Sequence, residues 1–102
     1  YLTNLRELNL YYCTALTGAL TDLSGLTNLT SLTLTGCTGF TGALTDLSGM
    51  SNLIMLYLQG SSSSNKTKFT GTASVMNTYA PGLKTFVYSN SSITGTWTSI
   101  AA

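Results

Sequence analysis

Few side chains in this sequence have the means to do chemistry. Of 102 residues, 19 are Thr and 13 are Ser, so nearly a third carry a hydroxyl. Beside them stand two thiols (Cys13, Cys37), three carboxylates (Glu7, Asp22, Asp46), four cations (Arg6, Lys66, Lys68, Lys84) and no histidine. A hydroxyl or thiol becomes a nucleophile only with a base beside it, and no spacing in the chain supplies that pair. Two thiols without an imidazole or a third thiol do not complete a zinc set, and a calcium ladder needs more acidic residues than this. The expectation is therefore no enzyme, no catalytic residue, no bound metal and no cofactor. The side chains suit modification, hydrogen bonding and packing instead. Three Asn-x-Ser/Thr sequons, at Asn28, Asn65 and Asn90, are N-glycosylation candidates in a eukaryotic secreted protein.

The charge balance narrows the partners. Charged residues make up 7% of the chain, against about 25% in an ordinary soluble domain. A net charge of +1 from scattered cations gives no footprint for nucleic acid. No apolar run approaches the roughly 18 residues of a membrane span. The apolar content of 43% is too high and too regular for a disordered Ser/Thr tract. The chain starts at Tyr1, without Met or a signal-like segment, which suggests a processed product or a piece of a longer protein.

The elements that must position these residues come from an internal repeat. Residues 2–25 (LTNLRELNLYYCTALTGALTDLSG) and 26–49 (LTNLTSLTLTGCTGFTGALTDLSG) match at a period of 24, including the whole string TGALTDLSG. A third copy covers 50–79, lengthened by an insertion at about 60–68, and a fourth covers 80–102. Leu8/Leu10, Leu32/Leu34, Leu56/Leu58 and Phe86/Tyr88 alternate with period two, so each copy predicts one short half-buried strand. One copy cannot bury its own apolar side chains. Stacked copies pair their strands about 4.8 Å apart and share a single core. Like charges stacked at that spacing repel, whereas Thr and Ser do not.

The string Leu83-x-x-Phe86-x-Tyr88-x-x-Ser91-x-Ile93 has the LxxLxLxx(N/C)xL spacing. The first two copies carry Cys13 and Cys37 at the Asn/Cys position. On these residues, over essentially the whole chain, the sequence resembles the leucine-rich repeat family. The Thr-Gly-x-apolar segment that follows resembles its plant-type subclass, although Thr21, Thr45, Ser74 and Thr98 stand where that subclass has proline. The resemblance implies a mostly-β leucine-rich-repeat solenoid. It would carry a parallel sheet on one face and short second strands, turns or 3-10 segments on the other. It also implies that the Cys column turns inward to bond backbone, and that the concave sheet face carries any ligand.

Cys13 and Cys37 share a column, and two readings stay open for them: buried thiols, or a rung-to-rung disulfide. The outward columns of the first strands are Glu7/Ser31/Met55/Thr85, Asn9/Thr33/Tyr57/Val87 and Tyr11/Thr35/Gln59/Ser89. They make Tyr11, Tyr57, Glu7, Asn9 and Gln59 the binding candidates. The second face predicts threonine columns Thr17/Thr41/Thr70/Thr94 and Thr21/Thr45/Ser74/Thr98, with Leu20, Leu44, Ala73 and Trp97 turned inward. Asp22 and Asp46 are read as bonding backbone at a short turn.

No polar capping copy is evident, so both ends expose sheet edges in the stacking direction. The resulting expectation is a non-enzymatic, extracellular or cell-surface structural protein that stacks end to end into a glycosylated filament or coat. Its partners would be itself, another extracellular protein or a glycan. Two alternatives accompany it. One is a fragment of a receptor or adhesin binding through the concave face. The other is ice binding through the threonine columns.

Overall fold

The computed structural model describes residues 4–101; Leu2 and Ala102, the bounds read for the first and last copies, lie outside them. Eight strands alternate between two sheets. Strands β1 (Glu7–Asn9), β3 (Ser31–Thr33), β5 (Met55–Tyr57) and β7 (Thr85–Val87) form one four-stranded parallel sheet. Strands β2 (Gly18–Ala19), β4 (Phe40–Ala43), β6 (Lys68–Thr72) and β8 (Ser92–Thr94) form the other, also parallel. Each sequence copy thus supplies one strand to each sheet.

The first sheet pairs in the register of the repeat. Leu8 lies beside Leu32, Leu32 beside Leu56 and Leu56 beside Phe86. The backbone ladder continues past the strands: Leu10 N–H donates to Thr33 O (2.8 Å), Leu34 to Tyr57 O (2.8 Å) and Leu58 to Val87 O (2.8 Å). The inward leucines meet the second sheet in one core, where Leu29, Leu32, Leu34, Leu53, Leu56, Leu58 and Phe69 are fully buried. Removing a leucine of this size from water contributes about 1.5–3 kcal/mol.

After β2, β4 and β6 the chain makes tight 3-10 turns at Leu20–Leu23, Leu44–Leu47 and Ala73–Val75. Leu20, Leu44 and Ala73 are buried, as the repeat predicts, and Trp97 packs half-buried against the same core. The carboxylates of Asp22 and Asp46 turn back to accept the N–H of Ala19 and Ala43, each at 3.0 Å. This satisfies one of the donors that a helical turn leaves orphaned at its start.

The second sheet differs from the sequence columns. Its strands are displaced by two residues at every step, so Ala19 lies beside Thr41, Thr41 beside Lys68, Ala43 beside Thr70, and Thr70 beside Ser92. The predicted files Thr17/Thr41/Thr70/Thr94 and Thr21/Thr45/Ser74/Thr98 therefore do not stack. Thr17 precedes β2, and Thr21 and Thr45 sit in the helical turns. The core supplies the reason. The displacement sets Gly18 beside Phe40, Gly42 beside Phe69 and Gly71 beside Ile93. The unshifted register would stack glycine on glycine; with the shift, a Cβ on Gly18 would meet Phe40 Cζ at 3.2 Å, and Cβ atoms on Gly42 and Gly71 would meet Leu20 Cβ at 2.9 Å and Leu44 Cβ at 3.2 Å. A shift of two residues, one full strand period, leaves every side chain on its own face.

The third copy absorbs its extra length in two places. One residue goes into a single helical turn, α1 (Met76–Tyr79). The rest forms a loop between β5 and β6, closed on itself by Ser61 N–H to Asn65 O (3.2 Å) and Asn65 N–H to Ser62 O (3.1 Å). The Cα extents of the molecule are 34 × 34 × 18 Å.

Candidate functional site

Two kinds of surface are candidates: the outward face of the first sheet, and the two ends where the sheets stop. The described residues enclose no pocket. No helix is long and apolar enough to cross a membrane.

On the outward face the predicted columns are in register, with Glu7 beside Ser31 and Asn9 beside Thr33 and then Tyr57. Glu7, Asn9 and Tyr11 are exposed, whereas Tyr57 and Gln59 are half-buried. Thr33 and Thr35 are buried, although they point away from the core. Gln59 lies just beyond β5, and its Oε1 is buried with no hydrogen-bond partner. Tyr12, which the sequence reading did not single out, is 60% exposed beside Tyr11 at 59%. It holds a left-handed backbone (φ 52°), and its ring lies over Gly36 (φ 69°), where a Cβ would come within 2.5 Å of Tyr12 Cδ1.

The cysteines sit just beyond the first two strands as free thiols, so the disulfide reading is not realised here. Both turn to backbone, as the resemblance implies: Cys13 Sγ donates to Tyr11 O (3.5 Å) and Cys37 Sγ to Leu10 O (3.4 Å) in the preceding copy. In the lengthened copy Thr67 takes this role. It is buried and donates to Leu58 O at 2.7 Å. In the fourth copy Ser91 Oγ donates to Tyr88 O. Thr67 and Ser91 each stand two residues before their buried apolar partners, Phe69 and Ile93. That spacing would have identified Thr67 from sequence.

Burial pushes the Cys37 thiol above its ordinary value of 9.0. The folded chain therefore holds this proton more firmly than the unfolded chain. Stability is expected to be unaffected by this group below about pH 9 and to fall as pH rises from there through the folded-state pKa. Urea titrations from pH 7 to 11 should show that fall, and Cys37→Ala should flatten it. Iodoacetamide under native conditions should label half-buried Cys13 well before Cys37; equal rates would refute the burial argument.

Of the sequons, Asn65 is exposed in the β5–β6 loop. Asn90 is half-buried in a left-handed turn (φ 53°), and its carbonyl accepts the Thr67 N–H at 3.1 Å. Asn28 is half-buried before β3. Among the threonine candidates, Thr17, Thr21, Thr41, Thr45, Thr70, Thr94 and Thr98 are all exposed.

The ends differ from each other. At the β1/β2 end, Leu5, Leu8, Leu10, Leu23 and Leu26 are only half-buried, whereas their counterparts Leu29, Leu32, Leu34, Leu47 and Met50 are fully buried. Leu16 there is 42% exposed, although its counterpart Phe40 is buried. At the β7/β8 end, aromatic residues replace leucines. Phe86 packs on Tyr88 with ring centroids 4.6 Å apart and meets Trp97 edge-on at 5.9 Å. The Tyr88 hydroxyl donates to Gly95 O (3.3 Å) and accepts the backbone N–H of Trp97 (3.0 Å), and Ser99 Oγ donates to Leu83 O (3.0 Å). Leu83, Phe86 and Ile93 are buried at this end, and Ile100 stands out at 62% exposure. Compared with protein families, with curated proteins and with solved structures, the chain matches none.

Proposed function

We propose that this chain is a leucine-rich-repeat solenoid serving as a non-enzymatic, extracellular structural protein that assembles through the ends of its stack. The observation that carries this reading is the β1/β2 end, where two sheet edges and a row of half-covered leucines occur together. A strand edge with free N–H and C=O groups is a template for another strand, and uncovered leucines add a hydrophobic drive. The low charge leaves little repulsion against such contacts. The register of the first sheet supports the solenoid reading, and an extracellular setting agrees with the exposed sequon at Asn65.

Sedimentation velocity over a wide concentration range, with electron microscopy of the concentrated sample, tests this. Concentration-dependent association is expected. A monomer at every concentration overturns the assembly reading.

A second reading, recognition through the outward face, is favoured by the unpaired Gln59 Oε1 and the exposed Tyr11 on that face. A Tyr11→Ala/Tyr57→Ala double variant that loses adhesion to cells while assembling as before would favour it over the first. Ice binding was motivated by straight threonine files, which the displaced second sheet does not form.

A further inference from the structure

We infer that Asn65 is an acceptor for an N-linked oligosaccharide, and that it can be modified only before the third copy closes onto the fourth, because folding withdraws the other half of its sequon. This rests on the extracellular reading above and adds to it a site and an order of events. The fold divides the sequon Asn65-Lys66-Thr67 in two. Asn65 and Lys66 are exposed in the β5–β6 loop, whereas Thr67 is 1% exposed. The Thr67 hydroxyl donates to Leu58 O at 2.7 Å, and its N–H donates to Asn90 O at 3.1 Å. The Asn65 side chain is held far less firmly: its Nδ2 donates to Ser62 Oγ at 3.4 Å, at the surface.

In the transfer, Asn65 Nδ2 attacks the anomeric carbon of an oligosaccharide carried on a lipid pyrophosphate. A C–N bond forms and the bond from that carbon to the pyrophosphate oxygen breaks. The lipid pyrophosphate leaves with the electron pair, and one amide proton passes to a base of the transferring enzyme. An amide nitrogen is a poor nucleophile, because its lone pair is shared with the carbonyl. The reaction therefore depends on the enzyme gripping the hydroxyl two residues on, which is why the sequon demands Ser or Thr there. In the folded chain that hydroxyl is covered and engaged on Leu58 O. Freeing it would leave a buried carbonyl without its donor and would draw the chain away from Phe69, fully buried two residues further on. The mature fold thus has room for an oligosaccharide on Asn65 yet cannot acquire one. Neither of the other sequons has this division: Asn28 and Asn90 are half-buried, and Ser92, which completes the Asn90 sequon, is exposed. The order of synthesis opens the window. Asn90, whose carbonyl holds Thr67 down, emerges 25 residues after Asn65.

The full chain, fused to a secretion signal and translated with microsomes, should carry an oligosaccharide mapped to Asn65 by mass spectrometry. The unmodified chain, purified in its folded state, should be modified at Asn65 by solubilised oligosaccharyltransferase at least about a hundredfold more slowly than a peptide of residues 58–72, since only its opened fraction is a substrate. Phe86→Ala, which loosens the fourth copy, should raise that slow rate. A folded chain modified as fast as the peptide overturns the order of events, and an unmodified Asn65 after translation with microsomes overturns the site. Both failures leave the assembly reading standing, whereas a chain modified as expected that stays monomeric overturns assembly alone.

Discussion

Leu32→Ala and Leu56→Ala should each destabilise the fold by about 3–4 kcal/mol, and Leu8→Ala in the same column by well under half of that. The three leucines occupy equivalent positions in β3, β5 and β1, one beside the next. Only their surroundings differ. Leu32 and Leu56 are sealed by a copy on either side, whereas Leu8 has a neighbour on one side alone. Truncating a sealed leucine loses its transfer energy and leaves a cavity. Truncating Leu8 loses less transfer energy and leaves a notch that water can fill. A domain of this size is stable by only about 5–15 kcal/mol, so the two central variants should lower the urea midpoint by a large fraction. Equal costs at all three positions in dilute solution would mean that Leu8 is already covered.

The second large effect is expected at a glycine. Gly42→Ala should cost about 2–4 kcal/mol, and Gly25→Ala should lie between neutral and about 1 kcal/mol stabilising. Gly42 has φ 139°, a conformation that side-chain-bearing residues rarely adopt. A Cβ there would stand 2.9 Å from Leu20 Cβ and 3.0 Å from Leu20 Cγ. Leu20 is fully buried at the start of its turn, so it cannot swing aside. Gly25 ends the TDLSG string that recurs at residues 45–49, yet nothing lies within 4 Å of a Cβ built there. Thermal or urea unfolding of the two variants compares them directly. A Gly42→Ala protein as stable as the parent would show that the displaced register of the second sheet is not fixed by this contact.

Much of this architecture was legible in the spacing. The period of 24 residues, with Leu8, Leu32, Leu56 and Phe86 as equivalents, gave the register of the first sheet, because a one-residue slip would turn every leucine to solvent. The backbone role of Asp22 and Asp46 was legible for a similar reason: a carboxylate three residues after Ala19 or Ala43 reaches back to its N–H. The second sheet departs from the sequence columns because equivalent positions in two copies need not be spatial neighbours. In that sheet a shift of two residues costs nothing in face and brings Leu20 against Gly42 and Leu44 against Gly71, a packing term that no single copy reveals. Thr67 was missed inside a run of Ser, Asn and Lys, where only its offset from Phe69 distinguishes it. At the β7/β8 end both sheets stop at an edge strand, as the repeat predicts, and there Phe86, Tyr88 and Trp97 stand in leucine positions and pack on one another.

The β5–β6 loop has a use beyond this molecule. Its two roots are held independently of its contents: Gly60 N–H donates to Ser89 O at 3.0 Å, and Thr67 is anchored through its hydroxyl to Leu58 O and its N–H to Asn90 O. Between them the chain leaves the core and returns to the same spot, since a Cβ on Gly60 would meet Asn65 O at 2.5 Å and Lys66 Cα at 2.9 Å. Ser61, Ser63, Ser64, Asn65 and Lys66 are exposed. Closing a longer loop between fixed roots costs only about 0.6 kcal/mol per doubling of its length. Residues 61–65 are therefore a graft point, where an epitope or binding peptide could be displayed while the frame that holds it stays as it is.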